Sequence, residues 1–84
     1  MNTTQRKTLE AIFATPVSGS LEWQRIETLF LSLGARIVEG DGSRVRFMLN
    51  DVVGIFHRPH PAKEAKRYQV RDARAFLKEA GIKS

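Results

Sequence analysis

Eighty-four residues, 42% apolar and 27% charged with a net charge of +5, describe one globular domain that buries about 60–65% of its unfolded surface. The absence of cysteine rules out disulfides and thiolate zinc sites, and two histidines are too few to suggest a metal, so no metal or other cofactor is expected. No stretch approaches the roughly 18 uninterrupted apolar residues of a membrane span and the polar start leads into no apolar signal core, which makes a cytoplasmic location the simplest expectation.

Thr3 or Thr4 is suited to cap a first helix, with Leu9, Ile12 and Phe13 on one face and Thr15-Pro16 as its stop. Val17-Ser18-Gly19 reads as a loop. Ser20 is placed as the N-cap of a second helix, with Glu22 in its first turn and Trp23, Ile26, Leu29, Phe30 and Leu33 at helical spacing up to a left-handed Gly34. Trp23 lies in that apolar stripe, so a core role is favoured over stacking on a base.

Ala35 to Glu39 reads as a short strand and Gly40-Asp41-Gly42 as the turn into a hairpin. Two alternating runs, 44–49 and 52–57, flank the polar pair Asn50-Asp51. A turn there sets Leu49 opposite Val52, Phe47 opposite Gly54 and Val45 opposite Phe56 on an apolar, buried face. The other face pairs Met48 with Val53, Arg46 with Ile55 and Arg44 with His57. A slip of one residue would mix charged and apolar groups on both faces.

Pro59 and Pro61 cannot donate to a ladder and end the last strand, and a basic loop from Ala62 to Arg67 leads to a final helix, Gln69 to Ala80. Val70, Ala73, Leu77 and Ala80 form its buried stripe, Gly81 its C-cap, and Arg71, Arg74 and Lys78 its outward side. The order helix, helix, three strands, helix implies an α+β domain, a small three-stranded antiparallel sheet with helices on one face and the other face open.

The charge is unevenly placed. Residues 1–56 carry six cations and six anions, whereas residues 57–84 carry Arg58, Lys63, Lys66, Arg67, Arg71, Arg74, Lys78 and Lys83 against Glu64, Asp72 and Glu79. A local excess of this kind suits a polyanion, and equally a solvated helix face. A DNA-binding helix-turn-helix on the first two helices is disfavoured, because Arg6, Lys7 and Arg25 are balanced there by Glu10, Glu22 and Glu27.

The chain has no triad spacing, no phosphate-cradling glycine loop and no acidic cluster for magnesium. It does have His57 and His60 among arginines and lysines, a set that fits metal-independent cleavage of RNA. RNA carries its own nucleophile, the 2′-hydroxyl, so such an enzyme needs a base, an acid and cations for the phosphorane. Histidine, titrating near pH 6.5 in its free form, serves as base or acid at neutral pH. Arg44, Arg46 and Arg58 are candidates for the scissile phosphate, and Lys63, Lys66 and Arg67 for flanking phosphates. Each histidine also has a structural reading, His57 as a strand-end hydrogen-bonding group and His60 as a loop-ordering residue between prolines.

Leu21-Glu22-Trp23 with Ile26, Leu29 and Leu33-Gly34-Ala35, then Gly42-Ser43-Arg44-Val45-Arg46-Phe47, then Phe56-His57-Arg58-Pro59-His60-Pro61 with Lys63-Glu64, and finally Val70-Arg71 through Phe76-Leu77 to Gly81-Ile82 together resemble the HicA toxins of bacterial toxin-antitoxin systems. The resemblance covers essentially the whole chain as a single domain, with residues 1–19 as an extra N-terminal helix and loop before a core of residues 20–82. It implies a fold like the double-stranded-RNA-binding domain, an mRNA interferase activity that stops translation, and a HicB-type antitoxin that covers the active site. The family usually has glycine, serine and a catalytic histidine where this chain has Gly42, Ser43 and Arg44. Arginine stays protonated and cannot act as a general base. Three readings stand open: His57 takes the role from the adjacent strand, which the cross-strand register favours; His60, matching a second histidine of the family, takes it; or the chain binds RNA or antitoxin without catalysis. Met48, Val53 and Ile55 on the open face would suit either a homodimer or the antitoxin.

Overall fold

The computed structural model describes residues 1–83, in the order α1 (Thr3–Phe13), α2 (Trp23–Ser32), β1 (Arg36–Glu39), β2 (Arg44–Leu49), β3 (Val52–His57) and α3 (Arg67–Glu79). Among the described residues no helix is long and apolar enough to cross a membrane.

Asn50 and Asp51 both take positive φ, 50° and 67°, giving the mirror-image turn whose twist suits a two-residue hairpin. All six expected cross-strand pairs form, from Leu49 with Val52 out to Arg44 with His57. β1 adds to the other side of β2, pairing Ile37 with Phe47 and Val38 with Arg46, so the sheet order is β1-β2-β3. Val45, Phe47, Leu49 and Phe56 are buried beneath the helices, and Arg44, Arg46, Met48, Val53, Ile55 and His57 are exposed on the opposite face. Asn50 also closes α3, its Nδ2 donating to the Ala80 carbonyl at 2.7 Å and so satisfying one of the orphan acceptors at a helix end.

Helix and sheet meet through aromatic rings. Phe30 of α2 is fully buried, with its ring centroid 5.0 Å from Phe47, 5.0 Å from Phe76 and 5.8 Å from Phe56. Trp23 is core, as its position in the stripe implies, 5.4 Å from Phe56. Gly54 makes this packing achievable: a Cβ there would lie 2.7 Å from Cδ1 of Phe76 and 2.9 Å from Cε1 of Phe56. Gly54→Ala is therefore expected to lower stability by about 1–3 kcal/mol through overpacking, read as a lower urea midpoint with an unchanged slope. An unchanged midpoint would mean that the rings yield at no cost.

The helix starts differ from expectation. Asn2, not Thr3 or Thr4, caps α1: its Oδ1 accepts from the Gln5 backbone N–H at 2.8 Å while Gln5 Oε1 accepts from the Asn2 N–H at 2.9 Å, a reciprocal capping box. Ser20 does not cap α2. The backbone around Glu22 pairs instead with that around Glu64, Trp23 N–H donating to the Lys63 carbonyl at 2.9 Å and Ala65 N–H to the Leu21 carbonyl at 2.8 Å. A strand-like bridge thus supplies a partner that a cap would otherwise give, and the helix begins at Trp23. α3 starts at Arg67, two residues early, because Gln69 Oε1 accepts from the Lys66 N–H at 2.9 Å and stabilises the first turn.

Arg74 does not join Arg71 and Lys78 on the solvated side of α3. Its guanidinium reaches across to α1, Nε donating to the Ile12 carbonyl at 2.8 Å and Nη2 to that of Ala14 at 2.7 Å. The N-terminal helix is therefore fastened to α3 by a side chain that closes its C-terminus, while Leu9 and Ile12 enter the common core.

Candidate active site and cationic sheet face

β2 and β3 set the site through their register. Arg44 is the first residue of β2 and His57 the last of β3, and they are direct partners on the open face, a relation that holds Cβ atoms about 4.5–5.5 Å apart. Arg46 stands one same-face position further along β2, and β1 contributes Arg36 and Val38. No strand residue on this face is acidic. Arg46 stands on the middle strand between Val38 and Ile55, and Val38, Met48, Val53 and Ile55 are between 40% and 58% accessible. A face of cations interleaved with apolar side chains is thus offered to a partner.

The backbone at His57 is held from both sides. Its carbonyl accepts from Nε2 of the buried Gln69 at 2.6 Å, and the next N–H, of Arg58, donates to the Ser43 carbonyl at 2.8 Å. The imidazole itself remains exposed, as does that of His60 on the loop beyond. Buried Ala65 pins that loop to Leu21, leaving Lys63 and Lys66 exposed on either side of it. Arg67 opens α3 with its guanidinium over Gly19, where an added Cβ would lie 2.9 Å from Cζ.

Arg58, a candidate for the scissile phosphate, is paired with acids. Its guanidinium holds two carboxylates: Nε and Nη2 donate to Glu27 of α2 at 2.6 and 3.2 Å, and Nη1 and Nη2 donate to Glu39 of β1 at 2.7 and 3.1 Å. The hydrogen bonds it donates to Glu27, then to Glu39, raise its pKa above the ordinary arginine value. The bond from Arg58 holds the Glu39 carboxyl below the usual carboxylate range. Glu27 also accepts from the Trp23 indole N–H.

The structure therefore brings together His57, Arg44 and Arg46 on one face, follows them with His60, Lys63 and Lys66 on the adjoining loop, and ties Arg58 to acids. Gln69 and Glu27 are the residues that sequence reasoning missed. A glutamine at the third position of a helix is a capping signal, but its second bond, to a strand 12 residues away, has no local signature.

Comparison with known families adds one finding: a family model described as HicA toxin of bacterial toxin-antitoxin matches residues 23–82. No curated protein and no solved structure matches the chain. The matched span runs from the first residue of α2 past the end of α3, and it contains every histidine and every basic loop residue named above.

Proposed function

The chain belongs to the HicA toxin family, and from that premise we propose that it is the toxin of a toxin-antitoxin pair, a metal-independent endoribonuclease that cleaves mRNA, inhibits translation and is neutralised by a HicB-type antitoxin. The observation that carries this reading is the pairing of Arg44 with His57 on an exposed cationic face, with His60 on the next loop. His57 takes the proton of the 2′-hydroxyl as the new 2′-oxygen to phosphorus bond forms. His60 gives a proton to the 5′-oxygen as its bond to phosphorus breaks. Arg44 and Arg46 stabilise the charge that builds on the phosphorane, and the products are a 2′,3′-cyclic phosphate and a 5′-hydroxyl. DNA lacks the nucleophile and stays intact.

Lys63, Lys66 and Arg67 hold flanking phosphates without reading sequence. Their contribution makes affinity fall steeply as salt rises. The exposed apolar strip of Val38, Met48, Val53 and Ile55 is the ground on which the antitoxin docks, covering His57 as it does so.

One observation favours a second reading. Arg44 stands where the family usually places a catalytic histidine, so a binding module without catalysis would keep the same cationic face. Expression in a bacterial host separates the two. The wild-type chain is expected to arrest growth with loss of full-length mRNA, and the His57→Ala/His60→Ala double variant, folded by circular dichroism, is expected to do neither. Growth arrest by both proteins, with RNA bound by both, would replace the ribonuclease reading by that of the binding module.

A further inference from the structure

We infer that Arg58 is a positioning residue: clamped between Glu27 and Glu39, it fixes the strand end and loop that carry His57 and His60, and it is not an RNA ligand. Its kinetic consequence rests on the ribonuclease reading above; its binding consequence does not.

Four hydrogen bonds at 2.6–3.2 Å engage Nε and both terminal nitrogens of the guanidinium. Two carboxylates around one guanidinium give the cluster a net negative charge, which repels a phosphate. The planar fork of arginine suits this double bidentate pairing, and a lysine ammonium cannot reproduce it. Glu27 is a firm anchor, its side chain only 15% exposed and held by the indole of buried Trp23. Glu39 supplies the second anchor from the end of β1.

Arg58 lies between the two histidines in the chain, and the peptide joining it to His57 is pinned by Gln69 on one side and Ser43 on the other. The side-chain clamp adds the remaining attachments, to α2 and β1. Four segments of the fold thus attach to the end of β3 at His57 and Arg58: α2 and β1 through the Arg58 side chain, and the turn before β2 and α3 through the peptide that joins the two residues. That is an arrangement for holding exposed imidazoles in place without covering them.

The test uses the full chain and the variants Arg58→Ala, Arg58→Lys, Glu27→Gln and Glu39→Gln, with folding of each checked by circular dichroism. Binding of a 2′-O-methyl RNA, which cannot be cut, is measured against salt. Arg58→Ala is expected to keep the wild-type slope of log affinity on log salt, whereas loss of a phosphate ligand would reduce that slope by about 1 and overturn the assignment. In single-turnover cleavage at saturating RNA, Arg58→Ala, Arg58→Lys and Glu27→Gln are expected to slow the reaction on the order of 10²-fold, the scale of a 1 Å misplacement. Wild-type rates in folded Glu27→Gln and Arg58→Lys would overturn it. If the wild-type chain cuts no RNA, the ribonuclease reading fails separately and the clamp is judged on the histidine rings: their NMR pH titrations are expected to change in Arg58→Lys, and identical titrations would overturn the positioning role.

Discussion

Replacing His57 by alanine is expected to slow RNA cleavage by about 10²–10⁴-fold, the range over which a single positioned acid or base acts, with RNA affinity little changed. The side chain is exposed, so its removal leaves no cavity, and its backbone carbonyl keeps its bond to Gln69. In the proposed mechanism, what is lost is the group that accepts the 2′-proton beside Arg44. His60→Ala removes the proposed acid and is expected to slow the reaction with its own pH signature. Wild type should show a bell-shaped dependence of kcat/KM on pH, because one histidine must be neutral and the other protonated, and each single variant should lose the limb of the histidine removed. A rate for His57→Ala within a factor of two of wild type would leave His60 or another group as the base and would separate the cross-strand pair from catalysis.

Phe30→Ala is expected to be the most damaging core substitution. The side chain is fully buried and joins α2 to β2, β3 and α3 through three other rings. Truncations of this kind cost about 3–5 kcal/mol, against a total of roughly 4–13 kcal/mol for a domain of this length. With about 4–8 °C of melting temperature per kcal/mol, the variant should be largely unfolded at physiological temperature or close to it. Thermal melts followed by circular dichroism check this, with Phe30→Leu as the milder control. A loss below about 1 kcal/mol would mean that the neighbouring rings collapse into the space and that Phe30 is not the keystone of the interface.

The hairpin was the most legible part of the fold, and with it the placement of Arg44 beside His57. Its side-chain period is two and one face is apolar, so a slip of one residue mixes arginine with apolar side chains on both faces, and the two-residue turn sets which of the remaining registers forms. The turn pair Asn50-Asp51 then had only to accept positive φ, which asparagine and aspartate do more readily than most residues. The stripes of α2 and α3 were legible for the same reason, with a period of 3.6 instead of two.

What escaped sequence reading has a common physical character: the deciding partner is distant in the chain. Ser20 is a sound local cap for α2, yet the chain near Glu22 pairs with that near Glu64. Arg74 fits an outward stripe until α1 presents its last carbonyls, 60 and 62 residues away. Arg58 sits in a basic segment that reads as a phosphate site, but its carboxylates lie 31 and 19 residues earlier. Local pattern indicates where a cation is; only the fold indicates whether an anion already holds it.

The measurement that bears most directly on the proposed chemistry is incubation of purified protein with labelled single-stranded RNA in EDTA, with the product ends resolved. Fragments ending in a 2′,3′-cyclic phosphate and a 5′-hydroxyl are expected, and none from 2′-O-methyl RNA of the same sequence. Intact RNA, or fragments with 3′-hydroxyl and 5′-phosphate ends, would contradict a reaction in which His57 activates the 2′-hydroxyl.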